Sequence, residues 1–397
     1  MNQSLSKSLL KYVSFPLLLL LGARLIFIMA LPLSGLIGYG DFQNFFQLAK
    51  LSGWPFINYW VEFPPIFPFL NAIIYRIAGG QETTYDYILT LFLLIIDIIN
   101  LFLFAKINSK INNVIEGGWR ILTYLVILIA FSYTWWYFDA IAVLGMLLAF
   151  LWLFEEKDFL AGAAIAFGTL VKLFPIIILV IVWRYFPRTR AIRVSLFCLV
   201  IIIVIYSSLF FTSPMFTKAS ISSQLNKGSW ETVWALIDGN LSTGNFGPYS
   251  ERTKPEMATV TTRNPSVINP LITICLFVGL GLFVFLHPKV NGMVQMISFT
   301  GFTLCLLFLW SPGWSPQWVL YLLPLILLSF PHREGILITI TLILVNLLEW
   351  PVLLSRGLFN DLWITISLRS LVLILSGFAW YRLINQKSQT LINYDAP

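Results

Sequence analysis

Long apolar stretches separated by short polar segments occupy most of this 397-residue chain. Most approach the ~17–25 residues that a helix needs to cross a bilayer. They predict helices near 12–34, 84–107, 119–134, 136–154, 158–173, 174–187, 191–212, 267–287, 292–310, 316–331, 334–350 and 362–384. Lys172 and Pro175 interrupt the stretch 158–187, which predicts a broken helix pair buried within protein. We therefore expect an all-α, polytopic transmembrane helical bundle that forms one membrane-embedded domain over residues 1–397.

The composition supports the membrane interpretation and removes several other classes. Only 11% of the residues are charged and 58% are hydrophobic, whereas soluble chains carry about a quarter charged residues. Soluble and disordered classes are therefore excluded, and nothing predicts a nucleic-acid-binding arm. The three cysteines lie inside apolar stretches without metal-ligand spacing. The chain has no phosphate-binding Gly-Lys-Ser/Thr loop, dinucleotide fingerprint or His-Glu-x-x-His motif.

The distribution of basic residues predicts the orientation, because cytoplasmic loops retain Lys and Arg. With a cytoplasmic N-terminus and an uncleaved first span, the basic residues collect on the inside. They are Lys7, Lys11, Lys106, Lys110, Arg120, Lys157, Arg184, Arg188, Arg190, Arg193, Lys289, Arg333, Arg382 and Lys387. We expect a multi-pass protein of the cell membrane with both termini in the cytoplasm.

The carboxylates give a complementary pattern, and most of them fall on the outer side. They are Asp41, Glu62, Glu82, Asp86, Asp139, Glu231, Asp238, Glu251, Glu256, Glu349 and Asp361. Acidic residues contribute little to membrane orientation, so this pattern alone requires no function. Most tryptophans share that side, which fits either packed outer loops or aromatic faces for sugar rings.

Two outer segments are too long to be simple connectors. The first outer segment, residues 33–83, contains the apolar stretch Ile66–Ala78 behind two prolines, which predicts an interfacial or re-entrant helix. The second outer segment, residues 213–266, is rich in Gly, Ser and Thr. Its aromatic residues Trp230, Trp234, Phe246 and Tyr249 argue against full disorder.

Three outer carboxylates are candidate functional groups. Asp41 follows the first span, where a carboxylate can act as a general base or can cap the following helix. Glu62 precedes Phe63-Pro64-Pro65 and can orient the loop, bind a sugar hydroxyl or hold an arginine, of which we favour the structural role. Asp139 follows a run of aromatic residues, where a role in substrate binding and a role as a helix cap are about equally open.

The candidate cations and polar groups complete the set. Lys172 lies in an apolar stretch, so it needs a partner such as Asp139 or a lipid phosphate. Arg252 and Arg263 suit a phosphate, although exposed loop arginines are more often merely solvated. Within the spans, Asp97 is expected to pair with Arg24 or Arg369. Trp230, Glu231 and Gln317 are further candidate substrate contacts, with packing as the alternative.

The order of these motifs resembles the GT-C superfamily of membrane glycosyltransferases. The resemblance rests on Asp41, Glu62-Phe63-Pro64-Pro65, Asp139, Lys172-Leu173-Phe174-Pro175 and Ser315-Pro316-Gln317. It extends from about Asp41 to Gln317 and is strongest to glycosyltransferase family 87, which includes polyprenyl-phosphate-mannose-dependent mannosyltransferases.

The resemblance implies transfer of a hexose, such as mannose, from a polyprenyl-phosphate donor to a glycan or glycolipid acceptor. It implies inversion, an active site on the outer face and Asp41 as the general base. Relatives often carry paired acids there, but Phe42 and Gln43 follow Asp41, so no required divalent ion and no other cofactor is expected. Lys172, Arg252 and Arg263 are then the first cations to consider for the lipid phosphate.

Two other functions remain open at this level. A lipid or sugar transporter or flippase would use intramembrane charges such as Asp97 and Arg369 along a central path, and such proteins often show repeated halves. An inactive GT-C homologue would serve as a scaffold. The absence of a detectable repeat and the two long outer segments favour the enzyme.

Overall fold

A computed structural model describes residues 3–244 and 247–386, so Phe246 and Lys387 lie outside the described residues. Over the described ranges the chain is all-helical and contains no β-strand, only two isolated bridges. The α-helices are α1 (Gln3–Ala30), α2 (Leu33–Ile37), α3 (Phe42–Ala49), α4 (Ile66–Ile77), α5 (Glu82–Ile111), α6 (Val114–Ala130), α7 (Tyr133–Trp136), α8 (Asp139–Phe154), α9 (Asp158–Val171), α10 (Ile178–Tyr185), α11 (Arg188–Thr212), α12 (Pro214–Leu225), α13 (Val233–Asp238), α14 (Pro270–Leu286), α15 (Met293–Trp310), α16 (Val319–Ser329), α17 (His332–Leu347) and α18 (Leu362–Asn385). Short 3-10 turns cover Phe174–Ile177, Tyr249–Thr253, Pro255–Thr259, Pro316–Trp318, Leu354–Arg356 and Phe359–Asp361, and a π turn covers Leu348–Leu353.

Six apolar segments among the described residues are long enough to cross a membrane. They are Val13–Ala30, Glu82–Ile111, Arg188–Thr212, Met293–Trp310, His332–Arg356 and Phe359–Asn385. Large apolar side chains such as Met29 and Phe211 stand exposed on these helices, which suits a lipid environment and not water. The protein is therefore an all-helical, multi-pass membrane bundle, as the hydrophobic pattern predicted.

Most predicted spans coincide with helices, and prolines explain the main differences. The first span is divided because Pro32 separates α1 from α2. The predicted break within 158–187 is confirmed, since α9 ends at Val171 and Lys172 is extended at φ −153° and ψ 140°. A 3-10 turn containing Pro175 then leads into α10. Pro316 likewise begins the turn before α16, as expected for a proline in a first helical turn.

Helix α8 lies at the centre of the bundle, and most of its side chains are buried against α5 and α9. Small residues allow α8 and α9 to pack closely. A Cβ atom on Gly145 would lie 2.6 Å from the Cα of Gly168. This contact fixes the end of α9, and therefore Lys172, relative to the start of α8, and therefore Asp139.

Buried ion pairs neutralise the intramembrane charges. Arg24 of α1 lies 2.6 Å from Asp97 of α5, so the expected partner of Asp97 is Arg24. Arg369 of α18 pairs instead with Glu349 at the end of α17. Such pairs avoid the large cost of an isolated charge in a low-dielectric interior.

The connections between helices form two separate sets at opposite ends of the bundle. At one end the two outer segments meet, where the Trp60 indole donates to the backbone carbonyls of Glu251 and Lys254 at 3.1 and 3.0 Å. At the other end Arg190 pairs with Asp158 at 2.8 Å.

Candidate functional site

A cavity of about 890 Å³ opens where the two outer segments cover the helix ends. Its wall is formed by parts of the first outer segment, the break after α9, the second outer segment, the start of α14 and the turn between α15 and α16. Of the predicted site residues, Asp41, Glu62, Lys172, Trp230, Glu231 and Gln317 line it. Residues almost 280 positions apart in sequence are therefore brought to one cavity.

Asp41 stands at the position before α3 but makes no capping hydrogen bond with its side chain. Asp41 therefore occupies the N-cap position of α3 without capping the helix through its carboxylate. Asp41 instead accepts a 3.0 Å hydrogen bond from the Asn44 side-chain amide one turn later. Burial raises the pKa of Asp41 above its ordinary value, while the Asn44 hydrogen bond and the charges of Lys172 and Lys227 oppose this. A carboxylate with a raised pKa is a stronger base than an ordinary aspartate.

Asn44 also connects the base candidate to the second outer segment. The Tyr249 hydroxyl donates to the Asn44 side-chain oxygen at 2.7 Å. The amide is therefore oriented by one tyrosine and turns its N–H towards Asp41. Asn44, which the sequence did not single out, is a positioning residue for the Asp41 carboxylate.

Lys172 faces both the cavity and the protein interior. Its ammonium lies 3.7 Å from Oδ1 of Asp139, and the Tyr321 hydroxyl donates to the same oxygen at 3.0 Å. The expected pair between Lys172 and Asp139 is confirmed. Asp139 is fully buried and forms no part of the cavity wall, so it acts on the cavity through Lys172.

Glu62 holds an arginine, which was one of the roles open for it. Arg252 binds both Glu62 carboxylate oxygens, one of them at 3.0 Å, and its guanidinium stacks over Trp60 at 4.2 Å. Burial would raise the pKa of Glu62, but Arg252 and Lys227 together hold that pKa below its ordinary value. Glu62 is therefore an anion at neutral pH and fixes the second outer segment to the first.

Both arginines of the second outer segment lie elsewhere than the sequence suggested. Arg252 is buried and taken by Glu62, so it is neither solvated nor part of the cavity wall. Arg263 donates to the backbone carbonyls of Ser229 and Thr243 and also lies outside that wall. A planar guanidinium can donate hydrogen bonds to several carbonyls at once. Arg263 uses this geometry to connect two parts of the second outer segment.

Lys227 is a second cation of the cavity wall, and the sequence did not predict it. It lies on the cavity wall, and its ammonium is 4.7 Å from the Trp230 ring. Burial lowers the pKa of Lys227 to about 8, although the nearby Glu62 carboxylate opposes the shift. A lysine in a polar, Gly- and Ser-rich segment gives no sequence signal of burial, because its surroundings come from other parts of the chain.

Trp230 attaches the second outer segment to the turn between α15 and α16. Its backbone N–H donates to Pro312 at 3.1 Å, and its carbonyl accepts from Trp314 at 3.0 Å. The indole packs on Gly313 so closely that a Cβ there would lie 2.1 Å from the Trp230 ring. Gln317, from the same turn, contributes to the cavity wall without a described side-chain hydrogen bond.

The wall also has an apolar side, formed by residues such as Ile176, Ile177, Ile268 and Leu307. Acidic side chains, among them Asp41, and the lysines Lys172 and Lys227 therefore line a space that also presents aliphatic and indole surface. Among the described residues, no group of three or more His, Cys, Asp or Glu side chains is placed to hold a metal ion. Comparison with family models, curated proteins and solved structures gave no match for this chain.

Proposed function

We propose that the protein is a membrane glycosyltransferase of GT-C type that transfers a hexose from a polyprenyl-phosphate donor. The proposal rests chiefly on one observation, the Asp41 carboxylate with its raised pKa in a cavity that also contains Lys172 and Lys227. The cavity volume of about 890 Å³ lies within the range of roughly 300–1,000 Å³ that is usual for ligand sites.

Asp41, Lys172 and Lys227 each have a role in such a transfer. Asp41 takes the proton of an acceptor hydroxyl as that oxygen attacks the anomeric carbon. The bond from this carbon to the phosphate oxygen breaks on the opposite face, and the phosphate retains the electron pair. Lys172 and Lys227 stabilise the charge that develops on the leaving phosphate. Lys172 supplies this charge from a fixed position because Asp139 and Gly168 determine where it lies.

The two kinds of wall surface agree with a lipid-linked substrate. The isoprenoid part meets the apolar side near the start of α14, and the sugar and phosphate meet the charged side. A transporter or flippase finds less support, because Arg24–Asp97 and Arg369–Glu349 are closed buried pairs. Asp97 borders only a space of about 10 Å³, which is too small for a sugar.

The proposal is tested by measuring hexose transfer with the reconstituted protein. The substrates are a labelled polyprenyl-phosphate hexose and a mixture of glycolipid acceptors. The Asp41→Asn variant should fold and insert normally but lose transfer by about 10²-fold or more, as expected for a general base. Asp361→Asn is the matched control, since Asp361 is exposed and outside the cavity wall. Undiminished transfer by Asp41→Asn would remove Asp41 as the base, and no transfer by the wild type with any polyprenyl-linked hexose would reject the enzyme.

A further inference from the structure

A pair of carboxyl groups lies beside the cavity, apart from Asp41, and one of the two belongs to the cavity wall. Glu231 precedes α13 in the second outer segment, and Glu349 lies in the turn that ends α17. Their side chains are in hydrogen-bonding contact, and the two residues are 5% and 0% exposed. Two carboxyl groups this close and this buried cannot both be ionised without a large electrostatic cost.

One arginine serves both residues. The Arg369 guanidinium donates to the Glu349 carboxylate and to the backbone carbonyl of Glu231. Arg369 therefore forms its direct ion pair with Glu349 and contacts Glu231 only through the backbone carbonyl, so it compensates the charge of Glu349 more strongly. The second negative charge is most simply removed by a proton.

The hydrogen-bond inventory of the described residues leads to the same conclusion. Oε2 of Glu231 and Oε1 of Glu349 are buried, and neither finds a donor among those residues. Two carboxylate oxygens are acceptors only and repel one another, whereas a carboxylic acid supplies the donor that joins them. A proton shared between the two groups supplies a donor that the described side chains lack.

Glu231 is also held in a specific direction. Its φ of 52° lies in the left-handed region, which is uncommon for a residue with a side chain. The contact of Arg369 with its carbonyl and the adjoining bridge between Trp230 and Gly313 maintain this backbone. Glu231 belongs to the cavity wall, together with the neighbouring Trp350 and Lys227.

We propose that Glu231 and Glu349 share one proton and that the neutral Glu231 carboxyl binds a hydroxyl group of the ligand in the cavity. The ligand class, a sugar, rests on the proposed function, whereas the shared proton does not. A neutral carboxyl neither repels a phosphate nor attracts a cation, and it exchanges hydrogen bonds well with a hydroxyl group. The anionic part of the ligand binds at Lys172 and Lys227, so the hydroxyl-bearing part binds at Glu231.

The charged and titratable groups around Glu231 define the pH window of a test. They are Glu349, Arg369, Lys227, Arg263, Tyr133 and Tyr137. Burial, followed by the charge of Glu349, raises the pKa of Glu231 well above its ordinary value. Lys227 has a pKa of about 8, so measurements between about pH 5 and pH 7 keep its ammonium mostly charged.

The first experiment measures thermal unfolding of the full chain in detergent across this window. The folded state binds the Glu231 proton more tightly than the unfolded state, so the wild type loses stability as pH rises. Glu231→Gln should reduce this slope and unfold at a higher temperature than the wild type at pH 7. Glu256→Gln is the control, because Glu256 is an exposed carboxylate of the same segment. A Glu231→Gln slope equal to that of the wild type overturns the shared proton.

The second experiment measures transfer kinetics. Glu231→Leu should raise the KM for a hydroxyl-bearing substrate about tenfold, as for loss of one hydrogen bond, and Glu231→Gln should recover part of that loss. An unchanged KM in Glu231→Leu overturns the hydroxyl contact. If the wild type transfers no sugar, the proposed function fails, and the unfolding experiment still decides whether the proton is shared.

Discussion

The Lys172 ammonium lies 3.7 Å from a carboxylate oxygen of Asp139, at the point where α9 stops and the chain turns into α10. The pair joins the buried start of α8 to the wall of the cavity, since Lys172 belongs to that wall and Asp139 does not. The break in the helix exposes Lys172 to the cavity. The buried Asp139 carboxylate pairs with its ammonium, so the positive charge has a fixed position.

The first prediction concerns this pair. Lys172→Met should lower the free energy of unfolding by about 3 kcal/mol, because it leaves the buried Asp139 carboxylate without its cation. The double variant Asp139→Asn/Lys172→Met should recover much of that loss, since both charges are gone. Unfolding in detergent measures the stability of all variants.

Activity separates the two roles of Lys172. The double variant should remain impaired for the polyprenyl-phosphate donor even where its stability is restored, because the cavity has lost a cation. Wild-type kinetics in the double variant would show that Lys172 only neutralises Asp139.

The second prediction concerns Asp41 and Asn44. A general base must be ionised, so activity should fall as the pH drops through the raised pKa of Asp41. The Asn44 hydrogen bond lowers that pKa, so Asn44→Ala should move the acidic limb of the kcat/KM profile to higher pH.

Gln47→Ala is the control for this profile, since Gln47 lies on the same helix α3 and outside the cavity wall. Its acidic limb should coincide with that of the wild type. An Asn44→Ala limb that stays in place, or moves to lower pH, would contradict the assignment of Asn44 as the residue that positions Asp41.

The third prediction concerns the contact of Trp230 with Gly313. Gly313→Ala should destabilise the protein by about 2 kcal/mol, because the new Cβ would lie 2.1 Å from the Trp230 ring and the backbone bridge prevents retreat. Gly279→Ala in α14 is the matched control, since nothing lies within 4 Å of its Cβ position.

Thermal unfolding and limited proteolysis of the second outer segment measure the effect. Gly279→Ala should be neutral or stabilising by roughly 0.5–1 kcal/mol, because alanine favours a helix interior over glycine. Equal behaviour of the two variants would show that Trp230 does not hold the segment in place.

The fourth prediction concerns orientation. In a variant whose native cysteines Cys198, Cys275 and Cys305 are replaced, Lys254→Cys should react with an impermeant thiol reagent added outside intact cells. Lys110→Cys, at the opposite end of the bundle, should react only after permeabilisation. The reversed result would place the cavity on the cytoplasmic side and would remove the expected outer-face chemistry.

The sequence by itself determined the helices and their alternation. Apolar runs of bilayer length and the positions of prolines depend on local composition, so the break after Val171 and the start at Pro316 were predictable. The pairing of Lys172 with Asp139 was foreseeable too, because a deeply placed cation needs an anion and few are available.

The tertiary structure alone decided which polar groups face the cavity. Arg252 and Arg263 carry the same charge as Lys227, yet the two arginines are taken by Glu62 and by backbone carbonyls while the lysine joins the wall. The meeting of Glu231 with Glu349 and Arg369 likewise depends on how residues more than a hundred positions apart pack. Burial and pKa are properties of such surroundings, which the local sequence does not contain.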